Sequence, residues 1–150
     1  MSNDGKHLEG LVAIVERILL PDGFEVKTNE RIYDDGGVQI AEFDIEICGK
    51  VGTTTIYWLI ECRDRPGNGA APASWIEQLV GRRGRFGFNK VTAVSTTGFA
   101  AGAVEYARDE GIELREVRSL AATEFEDWLQ ITTLHQRMRI ADLQHASIFI

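Results

Sequence analysis

Residues 43–65 read FDIEICGKVGTTTIYWLIECRDR, and this stretch predicts two strands joined by a turn. Apolar and acidic side chains alternate in its first half, which is typical of a half-buried strand. Residues 49–52, Gly-Lys-Val-Gly, predict the turn of a hairpin. The apolar run at residues 56–60 predicts a second strand that is covered on both faces in the middle of a sheet. We therefore expect a hairpin whose second strand is central.

Acidic and basic side chains interrupt both predicted strands. Asp44 lies on the first strand, and Glu61 and Arg63 lie near the end of the second, where residues two apart point to one face. Burying such charges opposes folding unless something compensates for them. If the strands are neighbours, Asp44 and Glu61 converge within reach of one divalent cation. The alternative is that both carboxylates are ordinary strand-end charges paired with Arg63 or Arg65.

The composition sets the class of protein. The chain has 150 residues, of which 44% are hydrophobic and 26% are charged, and its net charge is -7. These values fit one soluble globular domain. An apolar signal-peptide core and a membrane-length apolar run are both absent from the sequence, so a cytoplasmic protein without membrane contact is expected. Cys48 and Cys62 predict reduced thiols, and no zinc pattern is present.

The rest of the chain predicts helices and strands in alternation. A helix is expected at about residues 7–20, with Glu9 and Glu16 in line at the border of its apolar stripe, where a solvated flank is the simpler interpretation. Ser74 and Glu77 predict a capping box that starts a second helix, with Gln78 on its inward side. Residues 91–117 then predict a strand, a helix and a parallel strand.

Basic residues cluster at the end of the predicted second helix. The net charge argues against a nucleic-acid surface over the whole molecule, yet a local patch overrides it where it meets phosphates. A solvated helix end and contact with DNA both fit this cluster. Its members are Arg82, Arg83, Arg85 and Lys90.

Four short blocks then occur in a recognisable order along residues 8–117. They are Leu8-Glu9, Phe43-Asp44-Ile45, Ile60-Glu61-Cys62-Arg63 and Ser95-Thr96-Thr97-Gly98-Phe99. On these blocks the chain resembles the PD-(D/E)XK nuclease superfamily, and most of all its Mrr-like, type IV restriction-endonuclease branch. The resemblance implies an α/β fold with a restriction-endonuclease-like αβββαβ core, a central mixed sheet and flanking helices, over residues 1–118. Residues 119–150 are expected to add a helix and a strand, or to begin a further domain.

The resemblance also implies a site and an activity. Asp44, Glu61 and the backbone carbonyl of Cys62 would bind Mg²⁺ or Mn²⁺ for hydrolysis of DNA phosphodiester bonds, in restriction or defence against foreign DNA. Arg63 would stabilise the transition state, and Glu9 would assist through a water or a second metal. Glu16 is the substitute for Glu9 if the first helix is shifted. Gln78 is a further candidate for orienting the site, and a homodimer would present two sites to duplex DNA.

One position departs from the family pattern. The family has lysine where this chain has Arg63, and a guanidinium cannot act as a general base, although it is a good phosphate partner. A second hypothesis is therefore a nuclease-fold module that binds DNA or docks onto a partner and cleaves weakly or not at all. A third is an unrelated α/β domain in which the pattern is accidental.

Overall fold

The computed structural model describes residues 4–117, in which helices and strands follow the predicted order. The elements are α1 (Asp4–Leu19), β1 (Glu25–Tyr33), β2 (Gln39–Val51), β3 (Thr54–Arg63), α2 (Ala73–Phe86), β4 (Lys90–Ser95), α3 (Ala101–Glu110) and β5 (Glu113–Glu116). A short 3-10 helix, Pro66–Asn68, lies between β3 and α2. The extension expected at residues 119–150 lies outside the described residues.

The five strands form one mixed sheet in the order β1-β2-β3-β4-β5. The pairs β1–β2 and β2–β3 are antiparallel, whereas β3–β4 and β4–β5 are parallel. The hairpin and the central position of β3 are thus confirmed. Helix α3 connects the parallel neighbours β4 and β5, which confirms the strand-helix-strand unit. None of the helices described for residues 4–117 has the length and apolar character needed to cross a bilayer.

Two hydrophobic clusters cover the two faces of the sheet. One lies against α2 and α3 and includes Leu59, and the other lies against α1 and includes Ile60. Successive side chains of β3 thus enter opposite clusters, as the alternation of a strand requires. On β2, however, Phe43 belongs to the α2 side and Ile45 to the α1 side, although they are two residues apart. Asp44 therefore lies where β2 passes from one cluster to the other.

The predicted turn at residues 49–52 is placed too early. Strand β2 continues to Val51, and the turn consists of Gly52 and Thr53, with Gly52 at φ 62°. Gly49 is a strand residue instead, and a Cβ added there would lie 2.4 Å from the Phe24 ring. The glycine at this position is thus explained by close packing of an aromatic ring and not by a turn.

The predicted capping box of α2 is wrong. The helix begins at Ala73 with Pro72 as its N-cap, and no side chain caps it, so Ser74 lies within the first turn. Ala71 fixes the chain just before the helix, because its N–H donates to the Gly98 carbonyl and its carbonyl accepts from Ala100. The helix also runs past the predicted end near Arg83 to Phe86. There Gly87 adopts the left-handed conformation at φ 77° and closes it.

Candidate functional site

The carboxylates of Asp44 and Glu61 meet where β2 and β3 separate. The backbone register of the two strands runs from Val51–Thr54 to Ile45–Ile60. At the next position the Asp44 N–H donates to Glu61 Oε2 at 2.9 Å. The Cys62 N–H in turn donates to Asp44 Oδ2 at 2.8 Å. Each carboxylate is therefore bound by the main chain at the opposite strand, and the predicted convergence of Asp44 and Glu61 is observed.

Burial makes the ionised form of Glu61 unfavourable. Glu61 is only 7% exposed. Burial first, and the negative charge of Asp44 second, raise the pKa of Glu61 to about 8, against the opposing effects of the Asp44 N–H and the Arg82 guanidinium. Two carboxylates in one largely buried place are a combination that a cation would stabilise.

The charge that faces Glu61 comes from helix α2. Arg82 Nη1 lies 3.2 Å from Glu61 Oε1 and also donates to the Glu42 carbonyl at 2.7 Å. Arg63 lies on the same strand face as Glu61, but its Nη1 donates to the Gly69 carbonyl at 3.1 Å and to Thr97 Oγ1 at 3.2 Å. Within the described residues, neither Arg63 nor Arg65 pairs with the two carboxylates. The alternative of ordinary strand-end ion pairs with these arginines is therefore not observed.

The end of β3 carries two neighbouring cations. Burial, followed by the charge of Arg65, lowers the pKa of Arg63. Thr97 Oγ1 donates to the Gly69 carbonyl at 2.7 Å, and Thr96 Oγ1 donates to Asp64 at 2.7 Å. These bonds tie the segment after β3 to the segment after β4, and the Arg63 guanidinium binds Gly69 and Thr97 in the same two segments.

The two glutamates of α1 have different surroundings. Both are buried, so the solvated flank expected for them is wrong. Glu16 Oε2 accepts a hydrogen bond from Arg115 Nη1 of β5 at 2.7 Å, a partner that the sequence analysis missed. Glu9 instead lies within electrostatic range of Cys62, because burial and then the charges of Asp44, Glu9 and Glu61 raise the pKa of that thiol. Of the two, Glu9 is thus the one near the carboxylate pair.

The predicted basic cluster is divided among several surroundings. Arg82 meets Glu61, Arg83 Nη2 lies 3.0 Å from Glu110 Oε1, and Lys90 Nζ lies 3.2 Å from Glu113 Oε1. Arg85 is exposed and covers the Phe86 ring, with its Cζ 5.1 Å from the centroid. These four side chains therefore contact different partners.

Gln78, the candidate on α2 for orienting the site, does not point where the sequence predicted. Gln78 is exposed, so its predicted inward orientation is wrong, and the buried side chains of this helix are Ile76 and Leu79.

The donor set of the site suits a hard divalent cation. Mg²⁺ is usually bound through one or two carboxylates and keeps several waters. Asp44 and Glu61 supply two carboxylates, and the reciprocal main-chain bonds fix both of them. Within residues 4–117 no group of three or more histidine, cysteine, aspartate or glutamate side chains is arranged to hold a metal ion. A cation here would thus rely on two carboxylates, main-chain oxygen and water.

Comparisons with solved structures identify the fold. A protein of unknown function, AF1548, is 22% identical with a TM-score of 0.58, over 77% of this chain and 59% of that one. The DNA modification-dependent restriction endonuclease AspBHI is 19% identical with a TM-score of 0.55, over 89% and 37%. The MspJI restriction endonuclease, solved in complex with a 27-mer oligonucleotide, is 18% identical with a TM-score of 0.51, over 76% and 26%. The chain thus spans less than two thirds of each of these structures.

The sequence comparison identifies the family. A search of curated protein sequences gives no match. The family model for restriction endonucleases (Mrr_cat), however, matches residues 4–129, which is most of the chain. The mixed sheet flanked by helices is the restriction-endonuclease-like fold of AspBHI. The chain therefore belongs to the restriction endonucleases, in the Mrr-like branch of the PD-(D/E)XK nucleases.

Proposed function

We propose that this domain is a divalent-metal-dependent DNA endonuclease that acts in restriction or another response to foreign or modified DNA. The observation that carries the proposal is the reciprocal bonding of Asp44 and Glu61 across the gap between β2 and β3. Family membership supports phosphodiester hydrolysis as the reaction. The buried pair of carboxylates supports a cation as the cofactor, because their mutual repulsion is what a cation offsets.

The main chain and two side chains would together hold the cofactor. Asp44 and Glu61 would bind it through carboxylate oxygens. The Cys62 carbonyl is the third candidate, because the N–H and C=O of one strand residue point to the same side and the Cys62 N–H already faces Asp44. Bound Mg²⁺ or Mn²⁺ would supply Lewis-acid chemistry, which lowers the pKa of water and offsets charge on the phosphodiester.

The remaining acidic residue of the site lies on α1. Glu9 is buried and its charge acts on Cys62. We assign it the role of holding a water next to the two carboxylates from the α1 side. Glu16 is not given this role, because its carboxylate pairs with Arg115.

DNA would approach from the side of α2. Arg82 and Arg85 lie on this helix near the Phe43 and Phe86 rings, which contact one another with centroids 5.0 Å apart. Cutting of both strands requires two sites, so a homodimer is part of the proposal.

Plasmid cleavage tests the proposal. Wild-type protein is compared with Asp44→Asn and Glu61→Gln in Mg²⁺ or Mn²⁺, and Glu46→Gln is the matched control because Glu46 lies two residues from Asp44 on the same strand. Both site variants are expected to lose more than about 100-fold in rate, whereas the control keeps wild-type activity. Cleavage that persists in both site variants would refute the assignment of these two carboxylates.

A second candidate function rests on Arg63. Its guanidinium binds Gly69 and Thr97, and the family lysine is absent from this position. A module that binds DNA but cleaves it weakly is the function that this observation favours. Retardation of DNA without cutting, over a range of Mg²⁺ and Mn²⁺ concentrations, would select it over the endonuclease.

A further inference from the structure

Arg82 is held at the carboxylate pair from three directions. Its Nη1 donates to the Glu42 carbonyl at 2.7 Å and to Glu61 Oε1 at 3.2 Å. Its Cζ lies 5.8 Å from the centroid of the Phe43 ring. Main chain, carboxylate and aromatic ring thus fix the position of the guanidinium before any ligand arrives.

Most donors of this guanidinium have no partner within the described residues. An arginine has five N–H donors, and both hydrogen bonds of Arg82 use Nη1. Among residues 4–117, Nε and Nη2 of Arg82 have no hydrogen-bond acceptor. The Arg82 side chain is 32% exposed, whereas the Glu61 side chain is 10% exposed. The Arg82 side chain is therefore partly open to solvent beside a nearly buried carboxylate.

The basic residue in the family lysine position does not supply this charge. Arg63 donates to the Gly69 carbonyl and Thr97, and within the described part of the chain it forms no ion pair with Asp44 or Glu61. Among the described residues, the cation that contacts Glu61 therefore comes from helix α2 and not from the end of β3.

We propose that Arg82, rather than Arg63, contacts the scissile phosphate of DNA beside the Asp44–Glu61 pair. The proposal rests on the proposed endonuclease function and names the residue that meets the reacting group. A guanidinium pairs well with phosphate because its fork presents two parallel N–H donors. Since the Arg82 guanidinium is already fixed, little conformational entropy is lost when it binds phosphate. Such a fixed donor stabilises the charge that develops in the transition state.

The first measurement is DNA affinity without metal or cleavage. The background is Asp44→Asn with a chelator present, and a short DNA duplex is titrated over a series of salt concentrations. Adding Arg82→Gln is expected to weaken binding several-fold and to reduce the slope of log K against log salt by about 0.9, the value for one phosphate contact. Arg82→Lys is expected to keep the slope, because it keeps the charge.

The second measurement is single-turnover cleavage in Mg²⁺. Arg82→Gln is expected to lower the rate by about 100- to 1000-fold at saturating DNA. Arg83→Gln is the matched control for both measurements. Arg83 is the next residue on the same helix and also loses an ion pair, but its partner is Glu110 and not the carboxylate pair. Its substitution should change neither the salt slope nor the rate.

The outcomes separate this inference from the proposed function. If Arg82→Gln retains wild-type rate and salt slope while Asp44→Asn and Glu61→Gln abolish cleavage, the inference is wrong and the endonuclease stands. If the rate falls but the slope stays unchanged, Arg82 only positions Glu61, and the phosphate contact is overturned. Wild-type protein that neither binds nor cuts DNA would overturn both.

Discussion

Replacing Glu61 with glutamine should stabilise the metal-free protein in alkaline solution but not in acid. Glutamine resembles the protonated glutamate in shape and charge, but its amide nitrogen cannot accept one of the two hydrogen bonds that Glu61 takes from the Asp44 N–H and from Arg82. The folded protein holds this proton up to about pH 8, whereas the unfolded chain releases it near the ordinary value of 4.5. Between these two values the folded state binds more protons than the unfolded state, so the free energy of unfolding falls as the pH rises. Glutamine does not ionise, so the free energy of unfolding of the variant does not fall with pH for this reason.

The size of the effect follows from the two pKa values. A change in pKa from 4.5 to about 8 corresponds to an upper bound of about 5 kcal/mol, reached above pH 8, with about half of it present near pH 6. Below pH 4 only the hydrogen bond that the amide nitrogen cannot accept separates the two proteins, so the variant should unfold at a slightly lower temperature than wild type. Each kcal/mol shifts Tm by about 2–4 °C in proteins of about this size, so the upper bound is about 10–20 °C.

Thermal unfolding followed by circular dichroism, with a chelator present, measures the difference. Wild type and Glu61→Gln are compared at pH 4, 6 and 8.5, and Glu105→Gln on the exposed side of α3 is the control. Adding Mg²⁺ at pH 8.5 should raise the Tm of wild type and leave that of Glu61→Gln nearly unchanged. A difference between wild type and Glu61→Gln that is the same at every pH would refute a buried, unfavourably ionised Glu61. So would a wild type that gains stability between pH 5 and 8.

Three further predictions concern packing and ion pairing elsewhere in the fold. Arg115→Met should destabilise the protein at pH 7 by about 3–5 kcal/mol in chemical denaturation, because it leaves the Glu16 carboxylate buried without its cation; an unchanged midpoint would contradict this. Gly49→Ala should cost about 1–3 kcal/mol, because its Cβ overlaps the Phe24 ring. A Cβ added at Gly10 on α1 meets no atom within 4 Å, so Gly10→Ala should raise the free energy of unfolding by about 0.5–1 kcal/mol. Equal effects of the two alanine substitutions would refute the packing explanation for Gly49.

The strands and the two acidic positions could be predicted because they depend on local alternation. The acidic residues of β2 and the apolar run of β3 specify half-buried and central strands, and neighbouring strands bring Asp44 and Glu61 together. Gly49 shows the limit of this reasoning. A glycine in a strand and a glycine in a turn look alike in sequence, and only the position of Phe24 distinguishes them.

The partners of the charged residues could not be predicted, because they join distant parts of the chain. Arg115 pairs with Glu16 across 99 positions, and Arg82 with Glu61 across 21. Neither pair has a spacing signal, since each depends on how a helix lies on the sheet. The sequence marks Arg82 as basic but not as a neighbour of the carboxylates. Ser74 failed as a cap for a similar reason, because Ala71 is fixed by bonds to Gly98 and Ala100.

The hydrogen bonds that Asp44 and Glu61 accept from the main chain link the chemistry of the site to the separation of two strands. Neither carboxylate can rotate towards a new ligand without releasing an amide of the neighbouring strand. A ligand that draws either carboxylate away should therefore expose the amide protons of Asp44 and Cys62. Their rate of exchange with solvent deuterium would then report ligand binding without a cleavage assay. The place where the two strands separate is therefore where binding at the site would first change the protection of backbone amides.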